Sequence, residues 1–210
     1  MTYSVKEIFL TLQGEGMRAG RPAVFCRFSG CNLWSGQEED RSSAICNFCD
    51  TDFVGVDGTL GGKYSTATDL VSAIDQQWPA NKGNKYVVLT GGEPLLQVDS
   101  ALVKALHARD FEIAVETNGT IDPPPGIDWV TVSPKSMNTW KVRVGNEMKL
   151  VFPQDSVKPQ HIEGSRFDFF YLQPLDGPNA QQNTRAAINF CQENPKWRLS
   201  IQTHKLLGIR

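Results

Sequence analysis

The chain has 210 residues, of which 40% are hydrophobic and 21% are charged, so it can bury the core of one compact domain without disulfide or metal cross-links. Its 21 basic and 23 acidic residues give a net charge of -2, which excludes the basic surface typical of a duplex DNA-binding protein and favours small-molecule partners. Residues 1–7 carry no secretion signal and no long apolar stretch follows, so the sequence predicts a cytoplasmic protein without a membrane span.

The first third of the chain predicts two strands, a polar loop and a helix. Strands are expected over residues 5–12 and 23–28, because both are apolar runs bounded by turn residues. A long polar segment follows over residues 29–51. A helix is expected to begin at Thr66 and to end before Pro79, since apolar residues recur every four positions between them.

The middle of the chain predicts a strand–helix–strand unit. Residues 86–90 and 111–115 are continuous apolar runs, and the apolar positions around Leu102 and Leu106 have helical spacing. Continuous apolar strands on either side of a helix are typical of a parallel sheet. The remaining runs that predict strands are 129–132, 148–152, 169–172 and 197–201, with a helix over 182–192 before the last.

The connection over residues 118–128 indicates that the fold is not a complete barrel. It contains three consecutive prolines at residues 123–125 and is too short for a helical crossover. The sequence therefore predicts an α/β fold, an incomplete TIM-type barrel of about six parallel strands with about three main helices. We expect a single domain over residues 1–210, with its active site at the C-terminal ends of the strands.

Three of the five cysteines, Cys31, Cys46 and Cys49, lie close together in a loop of about residues 29–52. Such clustering fits a disulfide framework poorly and in a reducing compartment more often indicates a metal site. Three thiolates leave one metal position open, whereas a structural zinc site or a ferredoxin cluster normally has four protein ligands. The cysteines alone equally allow a zinc site completed by a distant histidine. Cys26 and Cys191 lie in apolar runs and are expected to be buried.

The turn Gly91-Gly92-Glu93-Pro94 directly follows the strand expected over residues 86–90. Its glycines let a ligand approach the backbone, and a carboxylate at a strand end suits an ammonium group. Three cysteines followed by this turn resemble the radical S-adenosylmethionine enzymes, whose clusters are held by three cysteines and whose Gly-Gly-Glu-Pro turn binds the methionyl amine. Fourteen residues separate Cys31 from Cys46, whereas members of that superfamily usually have three.

Further motifs resemble one family within that superfamily, the 7-carboxy-7-deazaguanine synthases. The motifs are residues 12–16 (LQGEG), 28–33 (FSGCNL), 49–51 (CDT), 116–119 (ETNG), 133–135 (SPK) and 202–205 (QTHK). The resemblance implies a lyase that converts 6-carboxy-5,6,7,8-tetrahydropterin into 7-carboxy-7-deazaguanine with loss of ammonia, in the biosynthesis of queuosine-type deazapurines.

The same resemblance implies the cofactors and the residues that contact them. A 4Fe-4S cluster would be held by Cys31, Cys46 and Cys49, and Mg²⁺ by Thr51, with no catalytic side chain beyond the cluster and S-adenosylmethionine. The residues implied for S-adenosylmethionine are Phe48, Asp50, Gly91, Gly92, Glu93, Ser133, Lys135, Gln173 and Asp176. Those implied for the pterin are Leu12, Gln13, Gly14, Glu15, Arg27, Thr90, Glu116, His204 and Arg210. A structural role is equally open for Glu116 and His204.

Two other functions stay open on the sequence alone. An activating enzyme that makes a glycyl radical on a partner protein would carry extra ferredoxin-type cysteines. A non-catalytic zinc or iron-sulfur module would have no use for the turn at residues 91–94. The resemblance also implies an electron donor such as flavodoxin or ferredoxin. The charge balance predicts no nucleic-acid partner, and the exposed strand edges of an open barrel predict a homodimer.

Overall fold

One mixed sheet and four α-helices make up the part of the chain that this computed structural model describes, residues 2–80 and 82–210. The strands are β1 (Tyr3–Leu12), β2 (Pro22–Phe28), β3 (Gly62–Tyr64), β4 (Tyr86–Gly91), β5 (Glu112–Thr117), β6 (Trp129–Val132), β7 (Val144–Phe152), β8 (Arg166–Pro174) and β9 (Trp197–Leu199). The helices are α1 (Ala67–Asp75), α2 (Ser100–His107), α3 (Ala180–Glu193) and α4 (Thr203–Leu207).

The sheet has the order β3-β1-β2-β4-β5-β6-β7-β8-β9. Strands β2 and β4 to β9 run parallel to one another, whereas β1 is antiparallel to both of its neighbours. Because β3 and β9 lie at opposite ends of this order, the sheet does not close on itself. The structure therefore confirms the expected incomplete barrel.

The details differ from the sequence prediction at several points. Seven strands of the described chain run parallel, rather than about six. Strand β1 is antiparallel because a short loop, and not a helical crossover, returns the chain into β2. Helix α1 ends at Asp75, four residues before Pro79. The unpredicted elements, β3 and α4, have three and five residues and are too short to produce a recognisable period.

The interior of the barrel changes from apolar to polar along the strands. Alternate strand residues point to opposite faces of the sheet. On β4, Tyr86 and Val88 belong to a small apolar cluster that is separate from the core beneath the helices. The next residue in that phase is Thr90, and it lines a cavity together with Glu116 on β5 and Lys149 on β7. The polar half therefore lies at the C-terminal ends of the strands.

Side-chain caps fix the beginnings of the two helices that flank β4. Thr66 accepts a hydrogen bond from the Asp69 amide (3.1 Å) at the start of α1. Asp99 accepts one from the Leu102 amide (2.9 Å) at the start of α2, and its carboxylate also accepts one from the hydroxyl of Tyr3. In residues 2–80 and 82–210 none of the helices combines the length and apolarity needed to cross a bilayer.

The loop between β1 and β2, residues 13–21, folds into the barrel. Arg18 and Arg21 each lie 2.5 Å from the carboxylate of Glu112 at the start of β5. The guanidinium of Arg18 also lies 4.2 Å from the ring centroid of Trp129 on β6. These contacts fasten the loop at the N-terminal ends of the strands, so that its first residues point towards the polar half of the interior.

Candidate functional site

A cavity of about 370 Å³ lies at the C-terminal ends of the parallel strands, where a barrel of this kind places its active site. It collects most of the residues singled out in the sequence. Lining residues implied for the pterin are Leu12, Gln13, Gly14, Glu15, Arg27, Thr90, Glu116, His204 and Arg210. Lining residues implied for S-adenosylmethionine are Phe48, Asp50, Gly91, Gly92, Ser133, Lys135, Gln173 and Asp176. Cys46, Cys49 and Thr51 also line it.

The three clustered cysteines influence one another electrostatically. A hydrogen bond between the thiols of Cys46 and Cys49 lowers the pKa of Cys49 to about 6 and raises the pKa of Cys46. Burial raises the pKa of Cys31, and the nearby negative charges of Glu93 and Cys49 raise it further. The ammonium of Lys135 favours the thiolate form of Cys46 and Cys49. In the described part of the chain no three cysteine, histidine or carboxylate side chains are placed to share one metal ion.

The chemistry of this donor set fits an iron-sulfur cluster. Thiolates are the usual protein ligands of iron-sulfur clusters, and each cysteine ligates one iron. The hydrogen bond from the Cys46 thiol and the nearby ammonium of Lys135 both favour the thiolate form of Cys49, which is the form that binds a metal. Three such ligands leave one iron of a four-iron cluster without a protein ligand.

The fourteen residues between Cys31 and Cys46 fold against the cysteine loop. The indole of Trp34 is buried and packs edge-on against Phe53, with ring centroids 5.7 Å apart. Arg41 lies 4.1 Å from the Trp34 ring centroid and donates hydrogen bonds of 3.1 Å to the carbonyls of Asn47 and Cys49. Arg41 therefore connects the insertion to the backbone that carries the last two cysteines.

The Gly91-Gly92 turn packs the end of β4 against the start of the cysteine loop. Gly91 has φ of 133°, and a Cβ there would overlap the carbonyl of Phe28. A Cβ on Gly92 would overlap the carbonyl of Gly30 and lie 2.8 Å from the Cβ of Cys31. Only glycine fits both positions, and the close approach places Cys31 directly behind the cavity wall that Gly91 and Gly92 form.

Glu93, which the resemblance assigns to S-adenosylmethionine, lies behind the cavity wall in the structure. Its side chain is fully buried and is not part of the cavity lining. Its carboxylate accepts hydrogen bonds from the amides of Leu95 (3.0 Å) and Asn118 (2.8 Å) and from the hydroxyl of Thr117 (2.8 Å). These bonds connect the turn after β4 to the turn after β5, so Glu93 supports the cavity wall from behind.

A buried ionic cluster forms the floor of the cavity. The ammonium of Lys149 lies 2.7 Å from Glu15 and 2.7 Å from Glu116. Burial alone would raise the pKa of Glu15, but Lys149, Gln202 and His204 together lower that pKa to about 2. Glu147 accepts a hydrogen bond from the Met17 amide (2.9 Å), and its burial raises its pKa to about 7. The floor thus pairs one ammonium group with two carboxylates, those of Glu15 and Glu116, whereas Glu147 lies outside the cavity lining.

Charged side chains at the mouth of the cavity connect the C-terminal segment to the rest of the site. Arg27 pairs with Glu7 on β1 (2.9 Å), and the same carboxylate pairs with Arg210. The carbonyl of Arg210 accepts a hydrogen bond from Thr11 (2.6 Å). Lys205 on α4 lies 2.7 Å from Asp50 and also pairs with Asp176, which follows β8. The segment after α4 is therefore fastened across the opening of the cavity.

The sequence reasoning missed eight polar or charged lining residues. They are Glu7, Thr11, Asp52, Thr117, Asn118, Lys149, Gln202 and Lys205. Lys149 had a visible signal, because it interrupts the apolar run of residues 148–152. Gln202 and Lys205 lie in the motif 202–205, from which only His204 was selected. Glu7 lies in the strand predicted over residues 5–12, where a polar residue among apolar ones looks like an ordinary surface residue.

Comparison with known proteins supplies the relationships of the chain. No family model matches it. It is 63% identical over 210 residues to a 7-carboxy-7-deazaguanine synthase of Bradyrhizobium diazoefficiens, and 57% identical over 209 residues to one of Burkholderia multivorans, with all of each chain covered in both cases. The crystal structure of QueE from Escherichia coli superposes with a TM-score of 0.71 at 28% identity, covering 96% of this chain and 94% of that one. Full-length identity at this level shows that the chain belongs to the 7-carboxy-7-deazaguanine synthase family.

Proposed function

We propose that the protein is a radical S-adenosylmethionine lyase that converts 6-carboxy-5,6,7,8-tetrahydropterin into 7-carboxy-7-deazaguanine with loss of ammonia. The observation that carries this proposal is the convergence of a three-cysteine loop and a set of polar side chains in one cavity. That cavity occurs in a chain with relatives of this name at 54–63% identity over their full length. The product is a precursor of queuosine-type deazapurines.

The cofactors are a 4Fe-4S cluster on Cys31, Cys46 and Cys49 and S-adenosylmethionine. Together they supply, when bound, a radical that removes a hydrogen atom from the substrate. Lys135 donates a hydrogen bond to Ser133 (2.7 Å) and lies 5.7 Å from the ring centroid of Phe48. These three side chains form one wall of the cavity beside the cysteines, where they would orient the carboxylate and the adenine ring of the cofactor.

The pterin would lie between Arg27 and the ionic floor. Arg27 can donate two parallel hydrogen bonds to the substrate carboxylate, and its pairing with Glu7 fixes the guanidinium before the substrate arrives. Glu116 and Gln13, which are linked by a hydrogen bond of 3.2 Å, offer acceptors and donors to the pterin ring. The Arg27–Glu7 pair and the Glu116–Gln13 pair would together position the substrate and exclude water from the reacting carbon.

Thr51 is proposed to bind Mg²⁺ through its hydroxyl group. Its side chain lines the cavity next to the cysteine loop, between Asp50 and Asp52. Mg²⁺ prefers oxygen ligands, keeps several waters and often binds substrate oxygens as well, so a single protein ligand is chemically sufficient. Replacing Thr51 by Val keeps the shape of the side chain and removes the oxygen. We expect this variant to need far more Mg²⁺ for turnover, whereas the exposed Thr68→Val control keeps the wild-type requirement.

Family membership favours the synthase over the two alternatives raised by the sequence. The full-length relatives at 54–63% identity carry the name of the synthase. The cysteines outside the cluster loop offer no second cluster, since Cys26 is fully buried in the core and Cys191 is half-buried on α3.

The remaining parts of the proposal concern partners and location. We propose that the chain is a single catalytic domain that works as a homodimer in the cytoplasm and takes electrons from a flavodoxin or a ferredoxin. All five cysteines are unpaired, which suits a reducing compartment. Cys46 and Cys49 line a cavity that opens to solvent at the strand ends, so a donor protein can approach the cluster from that side.

The proposed activity is tested by anaerobic turnover. Reconstituted protein is incubated with the carboxypterin, S-adenosylmethionine, Mg²⁺ and dithionite, and the products are identified by mass spectrometry. We expect 7-carboxy-7-deazaguanine from the wild type and from the control Cys191→Ala, and none from Cys46→Ala. Formation of 5′-deoxyadenosine without the deazaguanine would keep the superfamily and reject the substrate. Wild-type turnover by Cys46→Ala would reject the cluster.

A further inference from the structure

Lys149 is a buried ammonium group between two carboxylates of the proposed pterin site. Its side chain is only 6% exposed, and its Nζ atom lies 2.7 Å from Glu15 Oε2 and 2.7 Å from Glu116 Oε2. Burying a lysine requires good ion pairs to offset the lost hydration. Apolar residues at all three positions would avoid that cost, so the buried charges call for an explanation beyond packing.

The two carboxylates differ in how far their oxygen atoms are already occupied. Glu15 Oε1 accepts hydrogen bonds of 3.0 Å from Gln173 and from Gln202, in addition to the contact of Oε2 with Lys149. Glu116 Oε1 accepts a single, longer bond of 3.2 Å from Gln13. An ionised carboxylate can accept about four hydrogen bonds. Because Glu116 lines the cavity, its remaining capacity faces a bound ligand.

We propose that Lys149 positions Glu116 and keeps it ionised, so that this carboxylate accepts hydrogen bonds from the ring N–H groups of the substrate. The inference rests on the proposed function, because it takes the carboxypterin as the ligand. Lys149 acts through Glu116 and is a positioning residue. Hydrogen bonds to an ionised carboxylate are stronger than those to a neutral acid, so the ammonium group converts Glu116 into a selective acceptor.

The charges around Glu116 make its ionisation depend on Lys149. The ionisable groups that face this cluster are Glu15 in the loop, Tyr86 on β4, Glu147 and Lys149 on β7, and His204 on α4. Burial is the largest influence and leaves the pKa of Glu116 above its usual value, and the charge of Glu15 raises it further, whereas Lys149 and the hydrogen bond from Gln13 lower it. Without the ammonium group the pKa of Glu116 would be higher, so its carboxyl group would stay protonated up to a higher pH.

The test measures binding of the carboxypterin to oxygen-free, unreduced protein at acidic, neutral and alkaline pH, so that no turnover enters the result. At neutral pH we expect Lys149→Met to weaken binding by roughly 10- to 100-fold, the loss of a charge-assisted hydrogen bond. Alkaline pH should restore part of the affinity, because Glu116 ionises again. Lys149→Arg should keep most of it. In a Glu116→Gln background, adding Lys149→Met should change the affinity by less than about 3-fold.

Control variants keep the test decisive. Lys85→Met removes a lysine that pairs with Asp75 (2.6 Å) outside the cavity lining, and it should bind the pterin like the wild type. If Lys149→Met does not fold, the charge-balanced variant Lys149→Met/Glu147→Gln gives the same measurement. A loss of affinity that is equal at every pH, or equal with and without Glu116, would overturn the inference. A wild-type protein that does not bind the pterin would instead overturn the proposed function.

Discussion

Replacing Glu93 separates a supporting role from direct contact with a cofactor. In the structure this carboxylate satisfies three buried donors, the amides of Leu95 and Asn118 and the hydroxyl of Thr117. Each buried hydrogen bond to a charged group contributes about 1.5–3 kcal/mol, and the contributions are not additive within one network. Glu93→Ala should therefore lower the free energy of unfolding by about 3–5 kcal/mol. A domain has only about 5–15 kcal/mol in total, so this is a large loss.

Glu93→Gln is the finer change, because it keeps the shape and one acceptor oxygen. The other position becomes an amide donor that faces a buried backbone N–H group, that of Leu95 at the Oε1 position or that of Asn118 at the Oε2 position. We expect a loss of about 2–3 kcal/mol, since one donor loses its partner and meets another donor. Exposed Glu163→Gln is the matched control and should stay within about 0.5 kcal/mol of the wild type.

The assay is urea unfolding of the cluster-free chain followed by far-ultraviolet circular dichroism, combined with S-adenosylmethionine binding to the reconstituted protein. If Glu93 only supports the wall, the free energy of unfolding should fall in both Glu93 variants. The affinity for S-adenosylmethionine should then fall only because the turn at residues 91–94 is displaced. Wild-type stability of Glu93→Gln together with a strong loss of S-adenosylmethionine affinity would refute this reasoning and return Glu93 to the cofactor.

Three further predictions follow from the geometry. Gly92→Ala should prevent S-adenosylmethionine binding, because the new Cβ overlaps the carbonyl of Gly30. The control Gly83→Ala places its Cβ in open space and should bind S-adenosylmethionine normally. Equal binding by the two variants would contradict the close packing at Gly92. Burial raises the pKa of Glu147 to about 7, so the folded chain binds a proton that the unfolded chain releases, and the free energy of unfolding falls as the pH rises from about 4.5 through 7. Glu147→Gln should remove up to about 3 kcal/mol of this decline, measured by urea unfolding at several pH values. An unchanged pH dependence in the variant would contradict the assignment. Arg41→Ala should raise the alkylation rate of Cys46 and Cys49 in the cluster-free chain by roughly 2- to 10-fold, because two hydrogen bonds to the loop backbone are lost. The exposed control Arg185→Ala should leave the rate unchanged. Equal rates in the two variants would show that the insertion does not order the loop.

Local patterns were sufficient to predict most of the fold. Continuous apolar runs such as residues 86–90 and 111–115 predict buried parallel strands, because both faces of those strands are covered. The cap at Thr66 marks the start of α1 through a hydrogen bond within a single turn. The proline-rich connection over residues 118–128 correctly indicates a missing helix, and with it an open barrel.

Contacts between distant parts of the chain were beyond the reach of these patterns. Glu15 pairs with Lys149 across 134 positions, and no local period connects them. The burial of Glu93 depends on the turn after β5 reaching back to it, which a motif at residues 91–94 does not reveal. The insertion before Cys46 is polar in sequence, and it is held by the packing of Trp34 on Phe53 and by Arg41, which bonds to the backbone of the cysteine loop.

The central claim is that three cysteines hold a four-iron cluster whose fourth iron is free for S-adenosylmethionine. The most direct measurement is electron paramagnetic resonance of the anaerobically reconstituted and reduced protein, recorded with and without S-adenosylmethionine. The account predicts a reduced 4Fe-4S signal whose g values shift when S-adenosylmethionine is added, and no such signal from Cys46→Ala. A signal that S-adenosylmethionine leaves unchanged, or a metal centre with four protein ligands, would contradict it.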